Sequence, residues 1–213
     1  MKVTKFGHCC LLVEEKKSRL LIDPGIFSTG QDKVENLDLI LITHEHSDHC
    51  HIESIKNILK NNPTVKIITN NSVSILLKKE GIESIVLEDG ENFSQEDVSV
   101  EACGNDHAII YPSLPKVQNV GFFVNNKLFY PGDSFVKPDK AVEILALPVA
   151  GPWMKISEAI DFAKAVRPRV WFPVHDGILK YGEVGSRWPS FFMEELGVKT
   201  VILELEKETE INF

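Results

Sequence analysis

The densest chemistry in the chain is the run His44-Glu45-His46-Ser47-Asp48-His49. Imidazoles and carboxylates are the donor types that zinc takes. His44 and His46 lie two apart, so both can face one ion, and Asp48 and His49 follow closely enough to reach a second. Solvated loops seldom pack three histidines and an aspartate into six residues. His107, Asp133 and His175 add the same donor types later in the chain. His44, His107, Asp133 and His175 each stand just past the end of an apolar segment. Sites in open α/β sheets gather outside the carboxyl ends of strands, so these four points can converge on one cleft. No GxSxG or P-loop offers a serine nucleophile or a phosphate cradle.

The elements that must position these residues can be read from apolar periodicity. Segments 2–6, 9–14 and 19–22 read as short strands, and 37–43 is an apolar run suited to a strand covered on both faces. A helix follows, opening around Asp48 and His49, carrying Ile52, Ile55, Ile58 and Leu59 inward and closing at Asn61-Asn62-Pro63. Strands are expected at 65–69 and 84–87, around a helix capped by Asn70 or Asn71 that runs to Lys79. A strand at 98–103 leads to His107, and 108–118 is a loop with Pro112 and Pro115. Asn125-Asn126 suits a type I′ turn between strands 120–124 and 127–130, the second of which ends at Pro131-Gly132-Asp133. A strand at 144–147, a helix capped by Ser157, a strand at 169–174 ending at His175, a short helix and a strand at 200–205 complete the pattern. Strands alternating with helices indicate a layered α/β fold.

The 213 residues suit one domain, 1–213, and composition is ordinary for a globular protein, with 43% hydrophobic and 25% charged residues. No run approaches a membrane span, no repeat is evident and no signal-peptide core opens the chain. Cys9, Cys10, Cys50 and Cys103 show no CxxC spacing and read as reduced thiols, so the expected location is the cytoplasm. The net charge is -8 and no basic stripe with interleaved aromatics occurs, which disfavours nucleic acid as a partner.

THEHSDH (43–49) resembles the signature of the metallo-β-lactamase superfamily. RLLIDPG (19–25), YPGDS (130–134) and FPVHDG (172–177) resemble further motifs of that family. GHCCLLVE (7–14), GPWM (151–154) and the PVH ending look most like its L-ascorbate-6-phosphate lactonase-like branch. The resemblance implies a four-layer αββα sandwich with two mixed β-sheets and helices on the outer faces. It places His44, His46 and His107 on one metal ion, Asp48, His49 and His175 on a second, and Asp133 between them. Two divalent cations are therefore expected, with zinc favoured and manganese or iron also suited. They would lower the pKa of a bridging water from about 15.7 toward 7, and the resulting hydroxide would attack a small ester, lactone or phosphodiester. Asp48 and Asp133 carry the catalytic roles. His8, Asp23 and Trp153 are assigned to the substrate pocket, with Asp23 alternatively orienting a ligand histidine from behind and Tyr111 in a loop near the proposed ligands. Two divalent ions outweigh two aspartates, so an anionic small-molecule substrate is expected, with no membrane partner. The competing readings are an RNA-processing nuclease of the same superfamily and an iron-dependent dioxygenase.

Overall fold

In the computed structural model, residues 1–212 are described, and they form two seven-stranded sheets. The chain opens with β1 (Lys2–Lys5), β2 (Leu11–Glu15), β3 (Ser18–Ile22) and β4 (Leu39–Ile42). Then come α1 (Ile52–Asn61), β5 (Lys66–Thr69), α2 (Asn71–Lys79) and β6 (Ile85–Val86). The second half contributes β7 (Asn92–Gln95), β8 (Val98–Cys103), β9 (Gly121–Val124), β10 (Leu128–Tyr130) and β11 (Ile144–Pro148). It continues with α3 (Ile156–Val166), β12 (Val170–Val174), α4 (Glu183–Glu194), β13 (Lys199–Thr200) and β14 (Glu208–Glu210).

The first sheet has the order β14-β1-β2-β3-β4-β5-β6 and the second β13-β12-β11-β10-β9-β8-β7. Both are mixed and follow one scheme. An antiparallel meander, β1-β2-β3 or β7-β8-β9-β10, runs into parallel strands joined through helices. Period-two alternation sorts the side chains of each strand. In β4, Leu39 and Leu41 face the second sheet, packing with residues such as Phe122, Tyr130, Ala146 and Phe172. Ile40 and Ile42 face the other way, onto Ile55 and Ile58 of α1 and Val73 and Leu77 of α2. Leu145, Leu147 and Trp171 likewise cover the outer face of the second sheet against Ala159, Phe162 and Ala163 of α3. The layers are therefore helix, sheet, sheet, helix, as expected. Strands buried on both faces explain the unbroken apolar runs, and each fully buried Leu, Ile or Phe contributes about 1.5–3 kcal/mol.

Some elements differ from the sequence reading. The first helix starts at Ile52, leaving Asp48 and His49 in the turn before it. Ser157 lies inside α3 rather than capping it; Lys155 stands at the N-cap, its backbone N–H donating to the Glu158 carboxylate at 2.6 Å. Asn70 does cap α2, accepting from Val73 N–H at 3.0 Å. Of the strand expected at 200–205, only Thr200 falls in one, as the end of Lys199–Thr200. β7 and β14 were not foreseen: both are sheet edges, and β14 is the sequence Glu-Thr-Glu, with no apolar alternation to betray it. Asn125 and Asn126 have φ of 51° and 52°, as a type I′ turn requires.

The Asp23-Pro24-Gly25 turn clasps the segment that carries the histidines. Ile26 N–H donates to Ser47 C=O at 2.9 Å and His51 N–H to Pro24 C=O at 3.3 Å. A Cβ on Gly25 would fall 1.7 Å from the Asp48 carbonyl oxygen, so the two backbones touch only because this residue has no side chain. Gly25→Ala should therefore destabilise the protein by about 1–3 kcal/mol. Gly182→Ala, where the nearest atom to a new Cβ is 3.8 Å away and φ is helical, should be close to neutral. Thermal unfolding of the pair tests this, and equal melting points would contradict the clasp.

Candidate metal centre

Four chain reversals at one end of the sandwich bring the ligand candidates together. His44 follows β4, His107 follows β8, Asp133 follows β10 and His175 follows β12. Gly132, at φ 63°, makes the turn into Asp133; a Cβ there would meet the Asn119 Oδ1 at 2.3 Å and Thr43 Cβ at 2.8 Å. Asn119 in turn accepts from Asp133 N–H at 3.0 Å and donates to Pro131 C=O. His175 itself takes φ 62°, a region that non-glycine residues rarely adopt. Its N–H donates to His8 C=O at 2.9 Å, fixing the end of β12 to the first sheet.

The hydrogen-bond network assigns which ring nitrogen faces inward. His49 donates through Nδ1 to Asp23 Oδ2 at 2.7 Å, His107 through Nδ1 to Ala108 C=O at 2.5 Å, and His44 through Nδ1 to Thr43 Oγ1 at 3.0 Å. Each Nε2 is thereby left as a lone-pair donor directed into the site. His46 presents Nδ1, 3.1 Å from His44 Nε2. His49 Nε2 lies 3.2 Å from Asp133 Oδ1, and His175 Nε2 and His107 Nε2 lie 3.0 and 3.4 Å from Asp133 Oδ2. Asp48 Oδ2 is 3.7 Å from His49 Nε2 and 3.6 Å from His175 Nε2. Two donors sharing one zinc at ordinary bond lengths stand about 3–3.5 Å apart, so these spacings match the edges of a coordination shell.

Polar satisfaction points to the same place. His107 Nε2, Asp133 Oδ1 and His175 Nε2 are buried without a hydrogen-bond partner. Such atoms cost about 1–3 kcal/mol each, and here they face one small volume. The residues present therefore fit divalent ions. Electrostatics agrees. Burial holds His44 well below the usual imidazole range, so its lone pair is free. Burial raises Asp133, but the neighbouring imidazoles of His49, His107 and His175 outweigh it and keep the carboxyl well below its usual range. Burial works against charge on His49, yet Cys9, Asp133 and Asp23 together push it well above the usual value.

All seven residues expected as ligands lie together here; of the three assigned to the substrate pocket, Asp23 and His8 lie buried behind them and Trp153 stands to one side. Asp23 is fully buried behind the centre, with Oδ1 accepting from Thr43 N–H at 2.8 Å and Oδ2 from Thr43 Oγ1 and His49. His8 is also fully buried. Its Nδ1 accepts from Gly177 N–H at 3.0 Å, so Nε2 carries the proton, 3.4 Å from Asp48 Oδ2. Burial raises the Asp48 carboxyl, but the His8 contact and His49 bring it down to about 2. Trp153 is buried with its ring edge-on to His107 and His175, 5.9 and 6.0 Å between centroids, so it closes one side of the centre. Cys50 sits in the apolar layer under α1. Cys9 was not foreseen: its Sγ lies 3.5 Å from His49 Nε2 and groups with His8 and His175. The adjacent His8-Cys9 pair after Gly7 was the available signal. A cavity of about 430 Å³ opens beside the centre, between His46, His107 and the loop through Val117, and Tyr111 lines it.

Comparison with known proteins agrees with this geometry. A family described as Beta-lactamase superfamily domain matches residues 2–175. Protein Rv0786c of Mycobacterium tuberculosis is 37% identical over 184 residues, covering 84% of this chain and 85% of its own. A protein named metal-dependent hydrolase Ta0764, of Thermoplasma acidophilum, is 29% identical over 225 residues, covering 99% of each. Among solved structures, one described as a novel metallo hydrolase from Ignicoccus hospitalis superposes with TM-score 0.78 at 22% identity, covering 100% of this chain and 98% of its own. The diiron β-hydroxylase CmlA of Streptomyces venezuelae gives TM-score 0.78 at 15% identity, covering 99% of this chain and 54% of its own. These two share the fold. With the family match spanning most of the chain and the histidine cluster seated at the strand ends, the protein belongs to the metallo-β-lactamase superfamily.

Proposed function

We propose that the protein is a hydrolase of small ester, lactone or phosphodiester molecules that works with two divalent ions, zinc by preference. The observation that carries this reading is the set of buried, partnerless donor atoms on His107, Asp133 and His175, facing the same volume as His44, His46, Asp48 and His49. His44, His46 and His107 would hold one ion, and Asp48, His49 and His175 the other, with Asp133 shared. Bound there, the ions supply a water of lowered pKa and an electrophilic contact for the substrate oxygen. The names of relatives that read metal-dependent hydrolase support the same reaction class.

The chain's own residues contribute orientation. Asp48, half-buried at the mouth of the site, lies with its Oδ2 3.4 Å from His8 Nε2, which favours one orientation of the carboxylate. It accepts a hydrogen bond from the incoming water and orients it as the oxygen adds to the carbonyl carbon or phosphorus. The bond to the leaving oxygen then breaks, and a proton passes to that oxygen. Trp153 closes the flank over His107 and His175, keeping bulk water from the reacting atoms. Four free thiols favour the cytoplasm as the setting, and no helix among the described residues is long and apolar enough to cross a membrane. Lys116 is the one cation lining the cavity. That favours a small molecule over a nucleic acid, which needs a basic track.

Elemental analysis of protein purified without chelator should find close to two zinc, manganese or iron ions per chain. Protein that is metal-free and cannot be reconstituted would sink the proposal. His46→Ala and Asp133→Ala should each lower kcat/KM for a turned-over ester or phosphodiester by at least about 10²-fold while the chain stays folded by circular dichroism. Cys50→Ser, whose side chain lies outside the centre, should keep both ions and near-normal turnover. Full activity in either ligand variant would show that the centre has been placed wrongly.

A further inference from the structure

The cavity beside the centre has a chemistry of its own. His46 and His107 form one wall, and Ile109, Ile110, Tyr111 and Leu114 supply much of the rest. Ile109, Tyr111 and Leu114 are 69%, 65% and 54% exposed, and large apolar side chains clustered in the open beside a reactive site mark a ligand surface. Two charged groups, Glu45 and Lys116, stand in the wall. Ser72 Oγ donates to Glu45, and Lys116 lies 3.6 Å from Asp106. With one anion and one largely exposed cation, the described residues of the lining carry no net positive charge to favour a phosphate. The loop is held in place at its base: His107 N–H donates to Val117 C=O at 3.0 Å, and Ala108 N–H to Asp133 C=O at 2.8 Å. Leu114 N–H donates to Tyr111 C=O at 3.0 Å, and Pro112 and Pro115 stiffen the turn. The cavity is thus preformed and continuous with the centre.

We infer that the substrate is an amphipathic ester or lactone whose apolar arm lies against Ile109, Ile110, Tyr111 and Leu114, with its scissile carbonyl at His46 and His107. This rests on the proposed hydrolase reading and narrows it. Any anionic pole, as the charge of the centre leads one to expect, belongs at the ion end, and the cavity takes the apolar remainder. About 430 Å³ lies within the range of small-ligand pockets and suits a chain of several carbons. Water adds to the carbonyl carbon, the bond to the alkoxy oxygen breaks, and that oxygen leaves carrying a proton, so the arm itself takes no part in the chemistry.

The test uses zinc-loaded protein with two series, nitrophenyl esters from acetate to octanoate and γ-lactones of increasing alkyl length, beside a phosphorylated sugar lactone. In at least one series kcat/KM should climb about threefold per added methylene until the cavity is full, and should exceed that for the phosphorylated lactone. Ile109→Ser and Leu114→Ser, both at exposed positions, should lower the long-chain to short-chain ratio within each variant while leaving the melting temperature unchanged. Metal-dependent hydrolysis that is flat with chain length, or faster on the phosphorylated lactone, would overturn the assignment and leave the hydrolase reading standing. Unchanged chain-length slopes in both variants would overturn it too. No turnover of any member by protein carrying its full metal complement would overturn both.

Discussion

One buried carboxylate holds the arrangement together. Asp23, fully buried and at φ 45°, accepts from Thr43 N–H, Thr43 Oγ1 and His49 Nδ1. Through Thr43 it fixes the residue from which the histidine run departs, and through His49 it sets which ring nitrogen faces the centre. The Thr43 carbonyl then accepts from Val120 N–H at 3.0 Å and from the Asn70 amide at 2.9 Å. A single anion therefore ties the end of β4 to the second sheet and to the start of α2. The left-handed backbone at a non-glycine residue is a strain that such a network can sustain. A carboxylate this deep is sustained by the three donors it accepts from.

The centre has two contrasting flanks. His44, His49, Asp133 and His175 are sealed in the sandwich, whereas His46 and Asp48 are half-buried. The sealed donors sit in a low-dielectric setting where their fields act strongly. The open ones face the route by which a substrate arrives. Next to them the wall turns apolar within a few residues of His107. Reactivity and recognition are thereby divided between strand ends and one loop, the division expected when function sits on loops carried by a rigid scaffold.

Much of this was legible in the sequence. Double-faced strands leave unbroken apolar runs, so β4 and β12 announced themselves, and a ligand just beyond such a run had few places to go but the cleft. Asn125-Asn126 declared its turn because only a few residue types accept positive φ twice in succession. What escaped was set by tertiary context. For Asp23 the sequence offered both a pocket role and a place behind a ligand histidine, and the choice waits on Thr43 and His49, brought to it from 20 and 26 residues away. His8 reads as a loop histidine and gains its role only when the residues around His175 reach back to it. The edge strands β7 and β14 have no core face to pattern them. Loop 108–117 carries no periodicity, and its apolar residues acquire meaning from proximity to His46, which no local rule can supply.

The origin of the ligands has a consequence for how the molecule is made. His44, His46, Asp48 and His49 leave the carboxyl end of one sheet, while His107, Asp133 and His175 leave the other. Neither half owns a complete shell, so a nascent chain that has ordered only its first six strands offers an ion an unfinished set. The contacts that close the shell are among the most distant in sequence, and their loop-closure entropy is met only when the two sheets dock. Metal affinity is in this sense a property of the interface between two half-molecules. An ion taken up early would be bound weakly and exchange, and one taken up late would lock the docked sandwich against reopening, adding its binding free energy to the barrier for unfolding.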